Sequence, residues 1–208
     1  MEAVGGKVAL IELDPNLKAE YSNSFSASAD FYRRWGNLHG NLLIEGFYTN
    51  LRDAFKLEGG ETTDAQGNFL YTRVNSGGAI VKGINAELAL NWPKIGVQLG
   101  YTLQNSKYKE EEEIFEDLAP QREMPRTPDN YGYLILNYNP CRNFTVSVSG
   151  NYTGTMFVPH AATDYNDNEI IKSEEFFDAG FKLAYTLPLT QSINLELNAG
   201  MKNVFDQY

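Results

Sequence analysis

The sequence predicts an all-β chain, an antiparallel up-and-down sheet of about eight long strands. Three observations carry that reading. Apolar and polar residues alternate without a break over long stretches, tight turns take turns with long loops, and no segment shows a helical stripe of comparable strength. Residues 95–104 are the clearest case. Ile95, Val97, Leu99, Tyr101 and Leu103 fill one phase, and Gly96, Gln98, Gly100, Thr102 and Gln104 fill the other. Successive strand side chains point to opposite faces, so such a segment has one apolar face and one polar face.

The elements follow in order. A first strand is expected over 21–35, with Asp30 on its polar phase and Trp35 closing its apolar phase. The tight turn Gly36-Asn37 leads into 38–50, where Glu45 and Tyr48 take opposite phases. A long loop, 51–78, separates it from 79–92, which places Glu87 on the polar phase and Trp92 at the apolar end. Pro93-Lys94 turns the chain into 95–105, and a second long loop covers 106–129. Residues 130–139 contain Leu134-Ile135-Leu136 and end near Tyr138, and Pro140-Cys141-Arg142 forms the next turn. In 143–156, Phe144, Val146, Val148 and Tyr152 alternate with Thr145, Ser147, Ser149 and Asn151. The third long loop is 157–175. The strand 176–187 carries Phe177 and Tyr185 on the apolar phase and Lys182 on the polar one. After the turn Pro188–Ser192, the last strand, 192–205, alternates Ile193, Leu195, Leu197, Ala199 and Met201 with Asn194, Glu196, Asn198, Gly200 and Lys202. Gly, Asn and Pro supply the turn chemistry, and the absence of intervening helices argues against βαβ units.

Composition narrows the functional classes. The 208 residues include 17 Lys plus Arg and 27 Asp plus Glu, a formal charge of 17 − 27 = −10. That balance excludes a nucleic-acid binder, which needs a basic surface to displace counterions. Apolar content of 42% with 13% aromatics is too rich for a disordered chain. No apolar run is long enough for a membrane-spanning helix. The first residues show no charged segment followed by an apolar one, so no signal peptide is expected. The single cysteine, Cys141, excludes an internal disulfide and sits in a turn where an incidental role is expected.

The same alternation suits a soluble sandwich, with apolar faces packed together, and a membrane barrel, with apolar faces turned to lipid. Three features favour the barrel. The strands run to about 10–15 residues, long enough to cross a bilayer at a tilt and longer than most globular strands. Trp35, Tyr48, Trp92, Tyr138, Phe144, Tyr152, Phe177 and Tyr185 stand near strand ends on the apolar phase, where an interfacial girdle belongs. Charged residues, namely Asp30, Glu45, Glu87, Lys182 and Glu196, occupy the polar phase at mid-strand. Arg33 and Lys82 break the apolar phase, but toward strand ends, where a long cation reaches the headgroups. The competing readings are a soluble β-sheet binding or adhesion module and a small passive outer-membrane barrel closed from these strands.

Four segments carry a family resemblance. Asp14-Pro15-Asn16-Leu17-Lys18-Ala19-Glu20-Tyr21-Ser22 resembles the NP(D/N)LKPE-S segment of TonB-dependent outer-membrane receptors, with Asp14 for the usual Asn and Ala19 for the usual Pro. Lys82-Gly83-Ile84-Asn85-Ala86-Glu87-Leu88 is similar to their KGVE-E strand, with Asn85 for the common Glu. Pro125-Arg126-Thr127-Pro128 resembles the PRTP step, and Asn203-Val204-Phe205-Asp206 the N-L/V-F-D signature near the penultimate strand. The four occur in the family's order. The resemblance implies a 22-stranded barrel around an N-terminal plug, with this chain supplying a late part of the barrel. On that reading the chain is a partial C-terminal barrel domain over 1–208, with 1–20 an extracellular loop leading into the first strand. The plug and the last strand are expected to be missing.

The implied orientation puts long loops outside the cell and tight turns in the periplasm. The implied activity is import of a scarce ligand, iron–siderophore most often, with haem, cobalamin or glycans as alternatives. The implied partners are outer-membrane lipid, the rest of the barrel and plug, the TonB–ExbB–ExbD complex and a small-molecule ligand. Tyr71, Arg73, His160 and Tyr165 are the expected ligand contacts in the loops. Gly83, Glu87, Pro125, Arg126, Asn203, Phe205 and Asp206 are expected to fix strand and loop geometry.

Other candidates have plainer readings. The acidic loop with Glu110–Glu113, Glu116 and Asp117 reads as a solvated loop before it reads as an electrostatic funnel. Asp164, Asn166 and Asn168, with Glu175 eleven positions after Asp164, approach calcium-loop spacing, but Glu169 stands where the loop needs glycine. His160 is a weak haem-ligand candidate, and His39 reads as a turn or lumen residue. Asn143-Phe144-Thr145 and Asn151-Tyr152-Thr153 match a glycosylation pattern yet lie within one strand and carry no weight. No Ser-His-Asp set, buried carboxylate pair or phosphate-cradling glycine loop is present, so neither an enzyme nor a cofactor is expected.

Overall fold

The computed structural model describes residues 2–4, 7–115, 117–161 and 167–206. They contain fifteen strands: β1 (Glu2–Val4), β2 (Lys7–Leu13), β3 (Tyr21–Trp35), β4 (Leu38–Arg52), β5 (Phe55–Thr63), β6 (Phe69–Asn75), β7 (Ala79–Asn91), β8 (Ile95–Glu112), β9 (Gln121–Glu123), β10 (Asn130–Cys141), β11 (Phe144–Thr153), β12 (Phe157–His160), β13 (Glu169–Lys172), β14 (Phe176–Pro188) and β15 (Asn194–Met201). The eight long strands pair in chain order, from β3 through β4, β7, β8, β10, β11 and β14 to β15, and β9 joins the C-terminal part of β8. This is the predicted up-and-down sheet. Among the described residues no pairing joins β3 to β15, so the sheet has two edges.

The chain divides into two compact units, one made of Met1–Phe25, Tyr48–Val81 and Lys107–Glu123, the other of Ser26–Phe47, Lys82–Ser106 and Met124–Tyr208. In the second unit, register shows what the alternation accomplishes. Val97 pairs with Leu136, Leu136 with Val148, Val148 with Phe181, and Phe181 with Met201. A second row runs Ile95, Tyr138, Val146, Leu183 and Ala199. Each row is five strands wide and wholly apolar, and no protein layer covers it: Ile95, Tyr138, Val148, Phe181 and Met201 are 39%, 40%, 38%, 39% and 55% exposed. The opposite face holds the rows Gly96, Asn137, Ser147, Lys182 and Gly200, and Gly100, Tyr133, Asn151 and Asp178. There Thr102 is buried, and among the described residues Ala79 is the one buried apolar side chain. A water-soluble sandwich has the reverse pattern.

Glycines let the strands approach under large rings. Gly100 faces Tyr133, whose ring would stand 2.2 Å from any added Cβ. On the apolar face, Tyr101 and Tyr152 flank Gly132 from the two neighbouring strands, with ring centroids 6.4 Å apart. Gly36 adopts φ +58° in the β3–β4 turn, the left-handed conformation a two-residue hairpin needs.

The long loops are more ordered than the sequence indicates. The 51–78 segment forms β5 and β6, which join β1 and β2 in a four-stranded sheet, with β2 and β6 parallel. The 157–175 segment holds the hairpin β12–β13, and β8 continues to Glu112. These pieces are short or carry polar and apolar residues on both faces, so no sustained period-two signal marks them.

If the apolar rows face hydrocarbon, Leu99→Arg destabilises the protein by about 2–4 kcal/mol, the cost of a cation near the bilayer midplane. Gln98→Arg, on the polar face, changes stability by much less. Equilibrium denaturation in lipid vesicles measures both, and equal tolerance of the two changes would contradict the assignment.

Candidate functional site

Two surfaces gather polar and charged side chains, one in each unit. In the second unit, the polar faces of β4, β7, β8 and β10 form a groove of about 470 Å³ lined by Glu45, Asn85, Glu87, Thr102, Gln104 and Tyr131, among others. Period two brings these residues to one side: Thr102 Oγ1 donates to Asn85 Oδ1 at 3.1 Å, and Asn85 Nδ2 donates to Glu87 Oε1 at 3.1 Å. The motif glycine at 83 has a steric cause. A Cβ there would meet the Leu103 carbonyl oxygen at 2.3 Å and the Phe47 ring at 2.6 Å. Asp30 accepts a hydrogen bond from Asn41 Nδ2 at 3.2 Å on the same polar face of β3 and β4.

In the first unit, Tyr71 and Arg73 fall on one face of β6, two residues apart, opposite Gly59 and Leu57 of β5 and Ile11 and Leu13 of β2. On the other face, Lys56 Nζ bridges Glu58 and Glu112 at 3.0 and 3.1 Å. Burial works against the Lys56 charge, but hydrogen bonds to Glu58 and Glu112 outweigh it and raise the pKa above the ordinary lysine value. Lys109 Nζ donates to the Leu51 carbonyl, and Arg122 Nη2 to the Lys109 carbonyl, so part of the expected acidic loop is tied down by its own cations. Lys107 pairs with Glu123 at 3.0 Å and holds its carboxyl below the usual glutamate range.

The segment 14–20 is anchored to this unit. Asp14 Oδ1 accepts from Asn16 N at 2.6 Å, and Glu20 Oε2 accepts from Phe55 N. Asn75, at the end of β6, accepts from Lys18 N and donates through Nδ2 to the carbonyls of Lys18 and Asp53. One amide side chain thus joins β6 to two separate turns. Sequence reasoning missed Asn75, because its only signal is a side-chain amide at a strand end. The β5–β6 turn is organised by Asp64, which accepts from the backbone N–H groups of Gln66 and Asn68 and from Asn68 Nδ2.

The remaining expected residues lie in the second unit. Arg126 has φ +57°, and its N–H donates to the Phe157 carbonyl, while Thr127 Oγ1 donates to the Met124 carbonyl. The Pro125-Arg126 step is thus a turn held against β12. Asn203 and Asp206 have φ +48° and +53°, Val204 N donates to the Ala179 carbonyl, and the Phe205 ring lies 5.8 Å from Phe177. His160 is an exposed residue at the end of β12, paired with Glu169. Tyr165, Asp164 and Asn166 lie outside the described residues, and Asn168 is half-buried just before β13. Among the described residues no group of three His, Cys, Asp or Glu side chains is placed to hold a metal ion.

A single-layer antiparallel sheet with an exposed apolar face and a hydrogen-bonded polar face defines the outer-membrane type of transmembrane β-sheet. The family model for the β-barrel of TonB-dependent receptor-like proteins matches residues 4–204, and the chain belongs to that family of bacterial outer-membrane proteins. Solved structures agree. The FrpB iron transporter of Neisseria meningitidis (F5-1 variant) superposes with a TM-score of 0.63 at 16% identity, over 98% of this chain and 30% of that one. A mutant of the ferric enterobactin receptor of Pseudomonas aeruginosa gives 0.62 at 19% identity, over 94% and 27%. The ferripyoverdine receptor of the outer membrane of the same organism gives 0.62 at 16% identity, over 92% and 24%. At such identities the likeness is one of fold. The chain spans less than a third of the length of each of these receptors. No curated protein sequence matches it.

Two outcomes follow for the first unit. Asn75→Ala removes three hydrogen bonds, each worth about 1 kcal/mol net, and amide exchange at residues 16–18 and 53–55 rises on the order of tenfold or more. Hydrogen-exchange mass spectrometry reads this directly. The Asn68 side chain first, then backbone N–H donors, hold the Asp64 carboxyl below its ordinary pKa. A carboxyl depressed by folding stabilises its turn fully above the unfolded aspartate pKa. That contribution is lost as pH falls through the lower folded value. Exchange protection of the Asn68 amide should follow this curve, and Asp64→Asn should flatten it.

Proposed function

We propose that this chain forms part of the barrel wall of an outer-membrane receptor that takes up a scarce ligand by active transport. The exposed apolar rows in register across β8, β10, β11, β14 and β15 are the observation that supports membrane insertion most directly. In this reading the tight turns face the periplasm, and the ordered loop strands β5, β6, β12 and β13 face the outside. The polar groove with Glu45 and Glu87 lines the lumen. An N-terminal plug fills that lumen in the whole receptor, and the TonB–ExbB–ExbD complex supplies the energy from the inner-membrane proton gradient.

The ligand class we favour is an iron–siderophore complex. The residues we propose as ligand contacts are aromatic or cationic: Tyr71 and Arg73 on one face of β6 and, from the sequence alone, His160 and Tyr165. Such a set suits a large anionic chelate through charge and ring stacking. Haem, cobalamin and glycans are the alternatives to be run beside it.

The test is uptake of radiolabelled iron–siderophore by cells whose sole receptor for it is the full-length protein. Uptake is expected to stop when TonB is deleted or the proton gradient is collapsed, and Arg73→Ala should raise the half-saturating ligand concentration about tenfold, the loss of one charge-assisted contact. Uptake that survives loss of TonB would overturn active transport. TonB-dependent uptake of a different ligand class would replace only the ligand assignment.

A further inference from the structure

The tight-turn end of the sheet opposes the charge of the chain as a whole. The segments 31–41, 92–97 and 138–146 contain Arg33, Arg34, Lys94 and Arg142 and no carboxylate, whereas the fourth, 185–197, holds Glu196 opposite Thr186, in a sequence with a formal charge of −10. Two of these cations stand on neighbouring turns. Lys94 Nζ donates to the Pro140 carbonyl at 3.2 Å, and Asn139 N donates to the Lys94 carbonyl at 2.8 Å, which fixes the β7–β8 turn against the Pro140-Cys141-Arg142 turn. Beside Lys94, Trp92, Pro93 and Ile95 line an open apolar groove of about 420 Å³. Trp92 and Ile95 are 41% and 39% exposed, and Ile95 pairs with Tyr138 on the apolar face. The groove is therefore continuous with the sheet face assigned to hydrocarbon, while its rim is cationic.

From this geometry we propose a binding site for an anionic phospholipid at the β7–β8 and β10–β11 turns. Lys94 and Arg142 take the phosphodiester and the first stretch of an acyl chain lies along Trp92, Ile95 and Tyr138. The occupant follows from the mixed chemistry of the site. A free phosphate leaves the apolar wall unused, a zwitterionic lipid gains little from a rim without carboxylates, and an anionic lipid uses both. Clustered cations beside a membrane surface attract acidic headgroups within a Debye length. The proposal rests on the membrane orientation given above and adds a specific lipid to it.

Native mass spectrometry of the delipidated full-length receptor, titrated in parallel with phosphatidylglycerol, phosphatidylethanolamine and glycerol phosphate, tests it. Phosphatidylglycerol adducts should exceed phosphatidylethanolamine adducts several-fold. Lys94→Gln and Arg142→Gln should each lower phosphatidylglycerol binding about fivefold, while Trp92→Ala lowers binding of both lipids. Raising the salt concentration should erode the wild-type preference, a readout that needs no variant. Equal binding of the two lipids, or a preference that survives both charge changes, overturns the site. Glycerol phosphate binding as tightly as phosphatidylglycerol overturns the lipid as occupant. A receptor that inserts into phosphatidylethanolamine–phosphatidylcholine vesicles but shows no phosphatidylglycerol preference fails this proposal alone, whereas one that enters no vesicle fails the membrane reading beneath it.

Discussion

Hydrocarbon offers no hydrogen-bond partner, and this governs the rest of the molecule. Each N–H and C=O in the bilayer must be satisfied by a neighbouring strand, so the chain has to enter as paired strands. Pairing in turn aligns side chains into rows, and the alternation makes each row uniform. The row from Val97 to Met201 is apolar at all five positions, and the row from Gly96 to Gly200 holds no large apolar side chain. A one-residue slip of any strand would exchange the faces, placing Lys182 in lipid and Phe181 on the polar side. The register is therefore enforced by the solvent on one side as strongly as by the turns at the ends.

Within that constraint, local packing is a matter of small beside large. Tyr133 lies over Gly100 on the polar side, and Tyr101 and Tyr152 lie to either side of Gly132 on the other. With only one layer of backbone, a ring gains contact area by lying flat across a neighbouring strand, and glycine is the residue that leaves room for it. The polar face adds cross-strand bonds such as Ser147 Oγ to Asn137 Oδ1 and Thr145 Oγ1 to Asn139 Oδ1. Each contributes modestly, and together they hold a face that hydrocarbon does not press on.

Much of the fold was legible because the membrane writes a strict period into the chain. The expected strand 21–35 coincides with β3, and 130–139 and 176–187 fall within a residue or two of β10 and β14. Legibility ends where the bilayer ends. The continuation of β8 to Glu112 passes through Lys107, Lys109 and a run of glutamates, which read as loop because both faces of the strand carry charge. The parallel pairing of β2 with β6 joins residues some sixty positions apart and leaves no local trace. The motif segments were legible as motifs, but their physical content was not. Gly83 is set by the Phe47 ring and the Leu103 carbonyl, and the 14–20 segment by Asn75 and the Phe55 amide, partners distant in sequence.

The three bonds of the Asn75 amide bear on how such a surface diversifies. Because one side chain fastens the 14–20 segment and the Asp53 turn to the same strand, an insertion in either would have to keep the other's anchor in place. Drift in this region is then channelled away from the fastened backbone and toward side chains the amide does not hold. A lineage that varies this surface would change what the platform displays while inheriting the platform whole.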